Sequence, residues 1–180
     1  MDRPWLKFYD SSVPPRLEYP EIPLFQFLTD SARRFPENCA LLYYGKQMIY
    51  RELERQTNRF AQALMKLGVR KGDRVAIMLP NLPQCVIAYY GALKIGAIVV
   101  MTNPLYVERE LQIQLSDSGA ETMIALDLFY PRIGKIRKET GLKNIILTSV
   151  RDYLPWHLKL LYPKRPNRQS GSSILSFSPF

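Results

Sequence analysis

The sequence predicts an α/β fold with a parallel-rich sheet and βαβ crossovers. Between Arg74 and Thr148, short β-type runs alternate three times with segments of helical period. A parallel return needs a long crossover, and a helix supplies it. Ile98-Val99-Val100 and Ile145-Ile146-Leu147 are unbroken apolar runs, the pattern of strands covered on both faces. At 180 residues, 47% hydrophobic and 23% charged, the chain is long enough for one domain with a core, which excludes disorder and fibrous repeats.

Leu24, Phe27, Leu28, Ala32 and Phe35 recur at helical spacing after Pro23, and Pro36 stops the pattern. Two short runs follow, Ala40 to Tyr44 and Gln47 to Tyr50, split by Gly45-Lys46, a pair suited to a tight turn. They predict a short N-terminal β-hairpin. The next helix covers about Tyr50 to Leu67, with Leu53, Phe60, Ala61, Leu64 and Leu67 on one side and Gly68 at its C′ position. Arg74 to Leu79 reads as a strand, and Pro83 opens an apolar helix reaching Ile95 before Gly96. Ala97 to Met101, Thr122 to Leu126 and Asn144 to Thr148 are the remaining strands. Between them lie helices at Glu108 to Ser118, with Leu111 and Leu115 inward, and at Phe129 to Glu139.

The formal charge is +9, and residues 151–180 hold five basic groups against one acid, so the other 150 residues carry only +5. A mildly basic body with a basic end argues against a dedicated nucleic-acid reader, and no specific nucleic acid is expected as a partner. The tail basics could equally meet a membrane surface or lie in a solvated linker. Residues 163–180 are polar and then aperiodic, which predicts a disordered linker or non-family tail after a segment spanning 1–162. Charge and proline near Met1 take the place of a secretory signal, so the expected location is cytoplasmic. The oily run Cys85 to Met101 is broken by Lys94 and two glycines and falls short of the roughly 20 residues of a membrane span, so it reads as core. Cys39 and Cys85 are expected to be buried thiols. With His157 the single histidine, a Ser-His-Asp or Cys-His group and a typical structural zinc site are disfavoured.

In an open parallel sheet, ligands bind beyond the carboxyl ends of the strands. Those positions are Asn81, Thr102-Asn103, Asp127 and Ser149. Capping and turn duty outweigh ligand contact for each, because these residue types start helices and turns. Phosphate cradles need glycines that let backbone N–H groups approach the anion. The connection Leu79-Pro80-Asn81-Leu82-Pro83 has none, and neither G-x-G-x-x-G nor G-x-x-x-x-G-K-[ST] occurs. Ser170-Gly171-Ser172-Ser173 has suitable residue types but no later glycine or lysine, and reads as linker. Tyr43, Tyr44, Tyr50, Tyr89 and Tyr90 lie in segments that bury a face, so core or interface duty is favoured over base stacking.

Several blocks in order carry a family resemblance. They include Tyr50-Arg51-Glu52-Leu53, Gly68-Val69-Arg70-Lys71-Gly72-Asp73-Arg74-Val75-Ala76-Ile77-Met78-Leu79-Pro80-Asn81, Tyr89-Tyr90-Gly91-Ala92-Leu93-Lys94-Ile95-Gly96-Ala97, Thr102-Asn103-Pro104-Leu105-Tyr106 and Leu115-Ser116-Asp117-Ser118-Gly119-Ala120. From about Arg3 to Tyr162 the chain resembles the N-terminal portion of bacterial long-chain fatty acid–CoA ligases. These belong to the AMP-forming adenylating superfamily, with luciferases and peptide-synthetase adenylation domains. The resemblance implies an enzyme that joins a fatty acid to ATP as an acyl-adenylate, releasing pyrophosphate, and then passes the acyl group to the CoA thiol. It implies fatty acid, ATP and CoA as partners of the complete enzyme, with Mg²⁺ as its metal. It leaves room for peripheral contact with the inner face of the membrane and for a homo-oligomer. The phosphate loop and catalytic lysines of the family have no matching position here, so the resemblance assigns no catalytic, cofactor-binding or metal residue to this chain. The expected role is scaffold, inactive alone; the alternative is a binding or assembly module pairing with the rest of a ligase or an anionic membrane. Where family members commonly carry threonine, Ile49 and Val107 stand three residues before Glu52 and Glu110, which breaks two capping boxes at about 1 kcal/mol each.

Overall fold

Strand β3 (Arg74–Met78) sorts its side chains by the two-residue period of an extended chain. Val75 and Ile77 point into one apolar core, while Ala76 and Met78 point into a second on the opposite face. This division sets the architecture, which a computed structural model describes for residues 3–162 and 174–176. The expected linker at 163–180 lies outside the described residues except for Ile174–Ser176, which form strand β7 where the sequence shows no period.

The main sheet also contains β4 (Ile98–Met101), β5 (Thr122–Leu126) and β6 (Asn144–Thr148). Its order is β4-β3-β5-β6-β7, and every neighbouring pair is parallel. From β3 the chain moves outward through α3 (Pro83–Lys94) to β4. It then crosses back through α4 (Glu108–Ser118) to β5 and continues through α5 (Tyr130–Ile136) to β6. Right-handed crossovers running in opposite directions must place their helices on opposite faces. Accordingly Ile87, Ala88 and Ala92 of α3 pack on the Val75 and Ile77 face, and Leu111, Leu115, Ile133 and Ile136 of α4 and α5 pack on the Ala76 and Met78 face.

The first core is completed by α1 (Phe25–Arg34), the antiparallel hairpin β1 (Cys39–Tyr43) with β2 (Lys46–Ile49), and α2 (Tyr50–Lys66). Leu53, Phe60, Ala61 and Leu64 of α2 are buried as their spacing predicts. The α2–α3 contact is close because Gly91 lacks a side chain: a Cβ there would lie 2.8 Å from Phe60 Cδ1 and 3.3 Å from the Thr57 carbonyl oxygen. Helix α4 ends where Gly119 takes φ 64°, a left-handed conformation that glycine adopts without steric cost.

The structure corrects several expectations. The hairpin turn is Tyr44-Gly45, with φ of 48° and 79°, because Tyr43 pairs with Lys46. Both turn residues therefore need positive φ, the requirement of the type I′ geometry. Strand β4 is not covered on both faces: it is the sheet's edge, with Ile98 and Met101 exposed. In the α1 stripe only Leu28 is buried, and Leu24, Phe27 and Phe35 are exposed. Tyr44 and Cys39 are likewise exposed. Both helix starts without threonine fall where predicted. Ile49 and Val107 are the N-caps, and neither makes a side-chain capping bond. Half of one box survives, since the Val107 N–H donates to Glu110 Oε2 at 3.0 Å.

Candidate functional site

The crossovers leave β3 in opposite senses from β5, so the crevice of this sheet lies beyond the carboxyl ends of those two strands. There the chain places Leu79 to Leu82 after β3, Thr102-Asn103 after β4, Asp127 after β5 and Ser149 after β6. Two of these side chains, Thr102 and Asn103, are engaged by nearby backbone. Thr102 is buried and its hydroxyl donates to the Val100 carbonyl at 3.3 Å. Asn103 Oδ1 accepts the Leu105 N–H at 3.0 Å, closing the turn that leads to α4. Asp127 opens a 3₁₀ turn, Asp127–Phe129. Asn81 is exposed and does not cap α3, because Leu82 occupies the N-cap.

The end of β6 is tied down by groups that sequence reasoning missed. Asp152 Oδ2 accepts the Ser149 N–H at 2.9 Å and the Thr148 hydroxyl at 3.2 Å. Gln84, buried in the first turn of α3, donates from Nε2 to the Ser149 carbonyl at 2.8 Å. Its Oε1 has no hydrogen-bond partner among the described residues. Tyr153 is buried beside this network and donates its hydroxyl to Gln56 Oε1 on α2. Burial, with repulsion from Asp152 and Glu52, raises its phenol well above the ordinary value of 10.0. Arg132 of α5 donates to the Pro104 and Tyr106 carbonyls, and its guanidinium lies over the Phe129 ring. These bonds fasten the β4–α4 loop to α5.

A second polar cluster holds the helical layer. Lys94 Nζ donates to Glu54 Oε1 at 2.6 Å, Asn58 Oδ1 at 2.8 Å and Thr29 Oγ1 at 3.3 Å, joining α3, α2 and α1. Its side chain is only 12% exposed. The signal was available: Lys94 is the one charge in the oily run Cys85 to Met101, and a charge in a buried run requires partners. Cys85 is half-buried, and burial pushes its thiol up, which disfavours the nucleophilic thiolate.

A triphosphate with Mg²⁺ requires convergent backbone N–H donors, a cation and carboxylates. The residues at this crevice do not fit that group. The β3–α3 connection is glycine-free, and Asp152, Ser149 and Asn103 are held in local bonds. Among the described residues no three His, Cys, Asp or Glu side chains cluster for a metal. The loop Ser170-Gly171-Ser172-Ser173 lies outside the described residues. What the edge can do is shape and brace a wall.

A doubly wound layer of this kind, with a hairpin and helix pair on one face, is the N-terminal part of the adenylate-forming enzyme fold. The chain belongs to the AMP-binding enzyme family, whose model matches residues 28–172. It is 45% identical over 161 residues to a long-chain-fatty-acid–CoA ligase of Bacillus subtilis, covering 89% of this chain and 29% of that protein. Its structure matches a crystal structure of a long-chain-fatty-acid–CoA ligase from Archaeoglobus fulgidus at TM-score 0.69 and 28% identity, over 74% of this chain and 28% of that one. An anthranilate CoA ligase in complex with anthranoyl-AMP matches at TM-score 0.68 and 28% identity, over 70% of this chain and 25% of that one. The chain thus spans under a third of the length of these relatives.

Proposed function

We propose that this chain is the scaffold-bearing N-terminal portion of a long-chain fatty acid–CoA ligase, inactive alone. Its 45% identity to a ligase across 89% of its residues supports the reaction class. The observation that carries the scaffold role is the glycine-free β3–α3 connection, beside which Thr102, Asn103 and Asp152 are tied into local bonds. ATP, Mg²⁺, CoA and the fatty acid belong to the complete enzyme, whose remaining parts supply the groups that grip phosphate and move the acyl chain. Grafting residues 3–162 in place of the matching segment of the Bacillus subtilis ligase tests this. A chimera that releases pyrophosphate from ATP in the presence of palmitate supports the reading, and a folded but inactive chimera contradicts it.

A second reading is an assembly or docking role. The unpaired edge of β4, where Ile98 and Met101 are exposed, favours it, because an open strand edge is a template for association. The remainder of the ligase is one partner, an anionic membrane surface another, and a second copy of the chain a third. Among the described residues no helix is long and apolar enough to cross a membrane, so membrane contact in this reading is peripheral.

A further inference from the structure

Strand β4 ends the sheet, and its backbone groups alternate between β3 and the outside. The Ile98 and Thr102 N–H groups donate to the Asp73 and Ile77 carbonyls at 2.8 and 3.0 Å. Even-numbered residues of the strand therefore face β3, and Val99 and Met101 turn their N–H and C=O groups outward. Ala97, just before the strand, turns back and donates its N–H to the Ala92 carbonyl at 3.1 Å. The open edge thus consists of Val99 and Met101. One of its groups is already taken from within: Gln114, reaching from α4, donates its amide Nε2 to the Met101 carbonyl at 3.1 Å.

That bond is a poor source of stability. Gln114 Oε1 is buried with no hydrogen-bond partner among the described residues, and leaving a buried acceptor unpaired costs at least what one ordinary hydrogen bond returns. The core stripe of α4 does not need position 114 either, because Leu111 and Leu115 supply it. We infer that Gln114 is a gatekeeper, keeping the β4 edge from pairing with the β4 edge of a second copy of this chain. The inference narrows the assembly reading above by removing a second copy from the partners of this edge, and it does not depend on the ligase assignment.

A second copy is the encounter that such an edge must meet, since every copy carries it and a two-fold axis sets it against itself. In an antiparallel pair centred on Val100, Val99 of each copy stands opposite Met101 of the other and exchanges both backbone bonds with it. All the outward groups are used, and two of the four bonds end on a Met101 carbonyl. Those two acceptors are the ones that Gln114 holds. Without it the edge is complete, and the exposed side chains of Ile98 and Met101 add apolar contact to the pair.

Sedimentation velocity of the 180-residue chain over a range of concentrations tests this. Gln114→Met keeps the length of the side chain and removes the donor, and is expected to self-associate at about tenfold lower concentration than the parent. Gln114→Ala should do the same. Gln114→Lys, whose ammonium can still donate to the Met101 carbonyl, should sediment as the parent does. Adding Val99→Pro to Gln114→Met removes an outward N–H and should return the parent's behaviour. All four should keep the parent's circular dichroism spectrum, since Met, Ala and Lys are good helix formers and proline is tolerated on an edge strand. The proposal is overturned if Gln114→Met and Gln114→Ala sediment as the parent does, or if the lysine variant associates as they do. Association that survives Val99→Pro also overturns it, and so does association of the parent that Val99→Pro abolishes.

Discussion

Replacing Gly91 by alanine sets two effects of opposite sign against each other, and the geometry decides which wins. Alanine in a helix interior is favoured over glycine by about 0.5–1 kcal/mol through backbone entropy. At Gly91, however, the new methyl would stand 2.8 Å from Phe60 Cδ1, 3.3 Å from the Thr57 carbonyl oxygen and 3.4 Å from the Ala61 nitrogen. Carbon atoms in favourable contact lie roughly 3.5–4 Å apart. Phe60 is 1% exposed, so its ring can move only by displacing other core side chains, and the other two neighbours are backbone. Overpacking of this kind costs about 1–3 kcal/mol, which leaves Gly91→Ala destabilising by about 1–2 kcal/mol. Gly134 in α5 supplies the control, because its nearest contact to an added Cβ is an ordinary 3.7 Å from the Tyr130 ring. Gly134→Ala is therefore expected to stabilise by about 0.5–1 kcal/mol. Urea denaturation with a shared slope measures both. A neutral or stabilising Gly91→Ala would refute the close α2–α3 approach on which the first core depends.

Four further substitutions act on named contacts. Val107→Thr restores a hydroxyl acceptor at the α4 N-cap without losing buried area, since Val107 is exposed, and should stabilise by about 1 kcal/mol, or about 2–4 °C in melting temperature. Ile49→Thr should gain less, because the partly buried isoleucine surrenders apolar contact; scanning calorimetry ranks the two, and no gain in either would contradict the assigned helix starts. Lys94→Ala leaves the largely buried Glu54 without its cation and should cost about 3 kcal/mol, with Glu54→Leu in the same chain recovering part of the loss in denaturant titrations. The Tyr153 phenol is raised above 10.0 by burial first and by the nearby carboxylates second, so its contribution to stability is fully present below pH 10 and is lost as pH rises towards the folded-state value. The stability of Tyr153→Phe should therefore fall less steeply above pH 10 in pH-jump unfolding, and equal slopes would contradict the assignment.

Local signals placed the elements that local physics controls. Helix α4 and strands β5 and β6 begin and end where the sequence indicates, because Gly119 stops the helix and the apolar runs are short and bounded. The features that sequence reasoning missed are those set by strand order and register. The exposure of Ile98 follows from β4 being the edge, and the order β4-β3-β5-β6-β7 is a non-local choice absent from any window of residues. The Tyr44-Gly45 turn was displaced by one residue because pairing of Tyr43 with Lys46, rather than glycine content, fixes the loop. At the crevice, the residue types at strand ends were legible, but their commitment was not. Gln84 reaches Ser149 across 65 positions of sequence, a bond created only when α3 lies over the end of β6. Lys94 was visible as an anomaly, while its partners Glu54, Asn58 and Thr29 became identifiable only through the packing of three helices.

The proposed role of the chain as a wall without its own phosphate grip is tested most directly by incubating it alone with ATP, Mg²⁺, palmitate and CoA and measuring pyrophosphate. No release above the protein-free rate is the expected result. Release that requires palmitate and saturates with ATP would place the adenylating chemistry among these residues and contradict the account.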